Sequence, residues 1–213
     1  MGLVWRVVRL TVGDLVEEVF WLIPLNILWC LLAVLVLPMP FATAGLAWVA
    51  ATIGEGKVIS LRTFIEGGRR LWKPAYLWGL ANLVVGAIMW LNFAFYYNHP
   101  AQWAAIARLL VVAVALWWTA IQFYTFPFLV VQEEPSLKMA YRNSMILIIS
   151  QPVLAAAVFV VVALLSVVSY LLKMFPLVVF YFVLLALLAN RTVVETIKAQ
   201  KEAEEETQGD SSR

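Results

Sequence analysis

From Pro152 to Leu171 the chain runs twenty residues without a charged side chain. At 1.5 Å of rise per residue, a helix of that length is about 30 Å long, which is the thickness of a bilayer's hydrocarbon core. Val19–Leu37, Ala75–Phe95 and Ala104–Val131 are comparable runs, and only Arg108 interrupts them. Phe175–Ala189 is shorter but uncharged, which local thinning of a bilayer accommodates. Because the runs are continuous and do not alternate, a membrane β-barrel is excluded. Composition excludes a soluble core: 64% of residues are hydrophobic and 13% charged, against roughly 45–50% and 25% in soluble domains. The chain reads as all-α, with residues 1–190 forming one polytopic integral membrane helical bundle. Residues 191–213 read as a charged, disordered, solvated tail.

The stretch Phe41–Ile53 decides which way round the bundle sits. It is apolar but only about 20 Å long as a helix, so it either crosses as a short span or is re-entrant. If it crosses, both termini share a side with 13 of the 15 Lys and Arg residues, leaving only Arg108 and Lys173 opposite. If it dips in and returns, the split falls to 11 against 4. Cytosolic loops collect Lys and Arg, so about six transmembrane segments with cytosolic termini are favoured over five. Pro38 and Pro40 then form the turn of a helical hairpin. Ala42-Thr43-Ala44 resembles a leader cleavage site, but the preceding apolar run is too long and is preceded by Asp14, Glu17 and Glu18, so it reads as an anchor.

The charged segments between spans carry their own pattern. In residues 2–18, Val4, Val7, Val8 and Leu15 fall on one helical face and Arg6, Arg9, Gly13 and Glu17 on the other, as in an amphipathic helix lying in the interface. Residues 60–73 mix Leu61, Phe64, Ile65 and Leu71 with charges, and Gly67-Gly68 is expected to interrupt a helix there. An interfacial segment followed by two spans recurs over 1–54, 55–131 and 132–190, which is either a parallel internal repeat or a coincidence of apolar composition.

Little in the sequence carries reaction chemistry. One His, one Cys and no Walker A, G-x-S-x-G or H-E-x-x-H pattern leave hydrolytic and metal chemistry without residues. No catalytic or metal site and no cofactor is therefore assigned, and the net charge of +2 points to no nucleic acid. No Asp, Glu or Lys lies deep in a span, as a proton-coupled pump would require. Arg108 is one turn from a span end, placed to snorkel or to contact an anion or partner. Asn26, Thr43, Asn82, Asn92, Thr119 and Gln122 suit either helix-to-helix hydrogen bonds or a path for a neutral solute. Trp117-Trp118 fall mid-span, outside an aromatic belt, where they either pack or stack on a ligand. Trp72 and Trp78 read as inner interface anchors.

Two stretches carry a family resemblance. Leu25–Trp29 (LNILW) with Leu37–Leu46 (LPMPFATAGL) resembles the N-L-L-W … P-x-x-x-x-P-A-T-A-A-L signature of the YesL-like bacterial membrane proteins. Tyr124–Leu129 (YTFPFL) followed by Ser136–Ser144 (SLKMAYRNS) resembles that family's F-P-L-x-A … L-K-N-A region. Here the gap before the P-x-A-T element is shortened, and Phe41 stands between Pro40 and Ala42. The resemblance singles out Asn26, Trp29, Pro38, Pro40, Thr43, Gly45 and Pro127 as a structural motif. It implies an accessory role beside carbohydrate uptake, with ABC-type sugar transporter subunits as partners in a bacterial cytoplasmic membrane. The family is one of unassigned function and has no catalytic residues to carry over. The residues themselves leave a second reading open, a channel or transporter for a neutral small solute.

Overall fold

The computed structural model describes residues 2–99, 101, 103–175 and 177–211. Among these, nine α-helices and one π-helical turn account for the secondary structure, without a strand. The first unit contains α1 (Gly2–Glu17), α2 (Val19–Val34) and α3 (Met39–Gly54). The second contains α4 (Leu61–Arg70), α5 (Trp72–Asn98) and α6 (Trp103–Val130). The third contains α7 (Leu137–Ser150), α8 (Pro152–Leu171), the π-helical turn Leu177–Tyr181 and α9 (Phe182–Ser211). In the second and third units a shorter helix precedes two longer ones, whereas α1 of the first unit is as long as α2 and α3.

This is a polytopic helical membrane protein. Among the described residues, four helical segments are long and apolar enough to cross a bilayer: Trp72–Tyr97, Trp103–Val130, Pro152–Leu171 and Val179–Glu205. The helices α1 and α2 meet at 93° and together make a fifth, bent candidate. The run Val19–Leu37 ends as a helix at Val34, because the chain turns over Leu35–Pro38. As a result α2 and α3 have 16 residues each, about 24 Å of helix. Val36 sits in that turn at φ 59°, a left-handed conformation that β-branched residues rarely adopt. Pro38 caps α3 and Pro40 lies in its first turn, where a missing backbone N–H removes nothing.

Gly67 and Gly68 do not interrupt α4. Both are buried inside it, because α4 lies directly on α3. A Cβ at Gly67 would overlap the Trp48 side chain, and one at Gly68 would overlap the Phe41 ring. The contact is reciprocal, since a Cβ on Gly45 would stand 2.8 Å from the Phe64 ring and from its carbonyl oxygen. A Ser60–Thr63 capping box starts α4, with each side chain meeting the other residue's backbone N–H at 3.4 and 3.2 Å.

The tail from residue 191, expected to be disordered and solvated, is instead helical, and only its start is buried. The helix α9 continues through Ser211, and Arg191, Thr192, Glu195 and Thr196 are buried. The cause is α1, which packs along α9 through Val7, Thr11 and Asp14. Arg191 donates twice to Asp14, through Nε and Nη2, at 2.6 Å each. Glu195 accepts from Lys198 at 2.9 Å and lies 2.7 Å from Arg6 Nε. Paired in this way, the charges can leave water, which lone charges could not.

Candidate functional site

The resemblance motif converges on the place where α2, α3 and α9 meet. Asn26 is fully buried, and its Oδ1 accepts the Val183 backbone N–H at 3.0 Å. That donor lies just past the π-helical turn, where a change of helical register leaves backbone groups short of partners. Trp29 stacks on Phe182 with ring centroids 3.9 Å apart. Its Nε1 donates to Thr43 Oγ1 at 3.1 Å, and the hydroxyl donates onward to the Met39 carbonyl at 2.9 Å. Pro40 is buried against α5, where a Cβ on Gly79 would come within 2.8 Å of its ring.

Of these, Trp29, Thr43 and Phe182 wall a half-enclosed cavity of about 160 Å³. Trp29, Thr43, Gln122 and Pro127, all singled out from sequence, line it together with Trp78 and Phe182. Trp78 is thus a cavity wall, whereas Trp72 is exposed. Trp78 meets Phe126 edge to face at 4.9 Å, and its Nε1 is buried without a hydrogen-bond partner. Nothing in the sequence marked Trp78 or Phe182 for this position, since aromatic residues are frequent throughout the chain.

Beside the cavity runs a string of amides and aromatic donors. Trp118 Nε1 donates to Asn82 Oδ1 at 3.0 Å. Asn82 Nδ2 donates to Gln122 Oε1 at 3.1 Å and to the Trp78 carbonyl at 2.9 Å. The Trp118 ring also meets Tyr141 of α7 at 5.5 Å. Burial pushes the Tyr141 phenol up, and the neighbouring Gln122 amide opposes that in part, although the hydroxyl makes no hydrogen bond of ordinary geometry. Trp117 faces the other way and is 43% exposed, so the Trp pair is divided between two environments. Arg108 is remote from the cavity, with its guanidinium over the Tyr97 ring at 5.7 Å.

The cavity also fixes relative heights. Trp29, Thr43, Trp78 and Phe182 surround one space and so lie at one level. From Trp29 to the turn at Val36 is seven residues, about 10 Å, whereas from Trp78 to Asn98 is twenty, about 30 Å. Measured along the helix, α5 therefore continues about 20 Å further past its cavity residue than α2 does. Over residues 83–98 and 103–119 of this arm, Ala104 is the one buried residue among those described. A Cβ on Gly86 would meet no atom within 4 Å. An apolar groove lined by Ile88, Asn92 and Val114 runs between the two helices.

Among the described residues, no group of three or more His, Cys, Asp or Glu side chains is placed to hold a metal ion. No protein-family model, curated protein or solved structure matches the chain.

Proposed function

We propose that this chain is a non-enzymatic accessory protein of a bacterial cytoplasmic membrane, docking on a partner membrane protein through the α5–α6 arm. The observation that carries this is the arm itself: two long apolar helices that pack on each other and, past Asn82, on little else. An arm of this kind presents Asn92 and a continuous apolar groove to whatever lies beside it in the bilayer. Membrane helices associate through such packing and through interhelical amide bonds. The resemblance to YesL-like proteins directs the choice of partner to an ABC-type sugar transporter.

The solute-path reading finds less support. The span polar groups it needs bond one another or their own helix: Trp118 to Asn82, Asn82 to Gln122, Trp29 to Thr43, Thr119 to the Ala115 carbonyl. A sugar's several hydroxyls would each need partners in a cavity whose walls are largely aromatic and aliphatic. Crosslinked purification from native membranes tests the proposal. Recovery of transporter permease subunits supports it, and solute flux by the purified chain alone in liposomes overturns it. The orientation is tested by impermeant thiol labelling of single cysteines at Gly2 and Asn98 in a Cys30→Ala background. Labelling of Gly2 from outside would overturn cytosolic termini.

A further inference from the structure

We infer that the elbow between α4 and α5 is a binding site for one anionic phospholipid, with the phosphate on Arg69, Arg70 and Lys73 and an acyl chain laid along the first turns of α5. This inference is independent of the docking role of the arm, which begins past Asn82. Three cations fall between positions 69 and 73, and none of them meets a carboxylate among the described residues. Other cations are neutralised from within the chain: Lys57 pairs with Glu55, Arg62 with Glu66 and Arg191 with Asp14. Arg70 instead lies over the Trp48 ring at 4.8 Å, and Lys73 over the Trp72 ring at 5.7 Å. A cation on an aromatic face keeps its charge, and its N–H donors stay open to an anion.

Packing holds these charges in place. Gly67 and Gly68 seat the end of α4 against Trp48 and Phe41 of α3, and Leu71 at the bend is fully buried. Arg69, Arg70 and Lys73 are therefore exposed side chains on a fixed backbone. The candidate span begins at Trp72. With 27 residues in α5, about 40 Å of helix serves a hydrocarbon core of roughly 30 Å, so its first turn stands at headgroup height. Basic clusters at a span end attract anionic lipid, and Trp and Tyr anchor at the same level. Below the cations Trp72, Tyr76 and Leu80 are exposed at i, i+4 and i+8, with Leu77 beside them, which makes an apolar track on one face of the span. The charges fit a phosphate and the track fits an acyl chain. A soluble anion or an acidic protein segment would use the charges and leave the track bare.

The test uses the purified full chain in neutral detergent micelles, titrated with dioleoyl phosphatidylglycerol or dioleoyl phosphatidylcholine, which share their acyl chains and differ in headgroup charge. Native mass spectrometry reads the Kd of the first lipid adduct. Phosphatidylglycerol should bind about tenfold or more tighter, since each nearby cation contributes roughly fivefold. Arg69→Gln with Lys73→Gln should erase that preference. Lys57→Gln with Arg62→Gln removes the same charge from cations already paired with carboxylates and should leave it intact. Glycerol 3-phosphate, the headgroup without its chains, should not compete at equal concentration. Equal affinity for the two lipids, a preference that survives the elbow variant, equal loss in both double variants, or competition by glycerol 3-phosphate would each overturn the inference. If the elbow variant does not fold, the preference of the unsubstituted chain and its resistance to glycerol 3-phosphate still decide the matter.

Discussion

Asp14→Asn should be among the most damaging single substitutions in the chain, although it sits on a helix that reads from sequence as merely interfacial. The Asp14 and Arg191 side chains are 10% and 11% exposed, and the bidentate pair between them is the closest polar link from α1 to α9. Removing one partner of such a pair leaves an uncompensated buried charge, which costs about 3–5 kcal/mol. Glu195 and Glu17 also act on Arg191, so a loss near the lower end, about 3 kcal/mol, is expected. Replacing both members, Asp14→Leu with Arg191→Met, removes the desolvation penalty with the attraction. It should cost less than Asp14→Asn alone, with a net change near zero where the apolar replacements pack well. Unfolding titrations in detergent micelles, followed by intrinsic tryptophan fluorescence, measure both. If Asp14→Asn shifts stability by less than about 0.5 kcal/mol, as a surface change would, α1 is not docked on α9 and the reasoning fails.

Gly45→Leu should destabilise by about 2–3 kcal/mol in the same titration, because the new side chain meets the Phe64 carbonyl as well as its ring. Thr43→Val should cost about 1–2 kcal/mol by leaving the buried Trp29 Nε1 without its acceptor. Trp118→Leu should lower the midpoint more than Trp117→Leu, since only Trp118 bonds Asn82 and touches Tyr141; equal effects would contradict the division of the pair. Val36→Gly should stabilise by up to about 1 kcal/mol by relieving a left-handed β-branched residue that is 71% exposed.

The long apolar runs were legible because the bilayer imposes length and uniform hydropathy, and Pro152–Leu171 is a helix with those same bounds. The first hairpin was legible in outline, but its lengths were not, since apolar composition continues through the turn at Leu35–Leu37. Gly67-Gly68 misled because a glycine pair reads locally as a helix breaker, while its role here is set by Trp48 and Phe41 across the contact. Arg191 and Glu195 look like tail charges until α1 supplies their partners, a pairing across 177 positions for Asp14 and Arg191. Trp78 lacked a signal for the same reason: its place in the cavity depends on four other helices.

The central claim, an α5–α6 arm held against a partner within the bilayer, is tested most directly by site-specific photocrosslinking in native membranes. A photoreactive side chain replaces Ile88 or Val114, both in the arm's groove, with Gly2 at the start of α1 as a control position. The account predicts a discrete adduct at both groove positions, containing a transporter membrane subunit, and none at Gly2. Adducts made only with lipid, or only with a second copy of this chain, would contradict it.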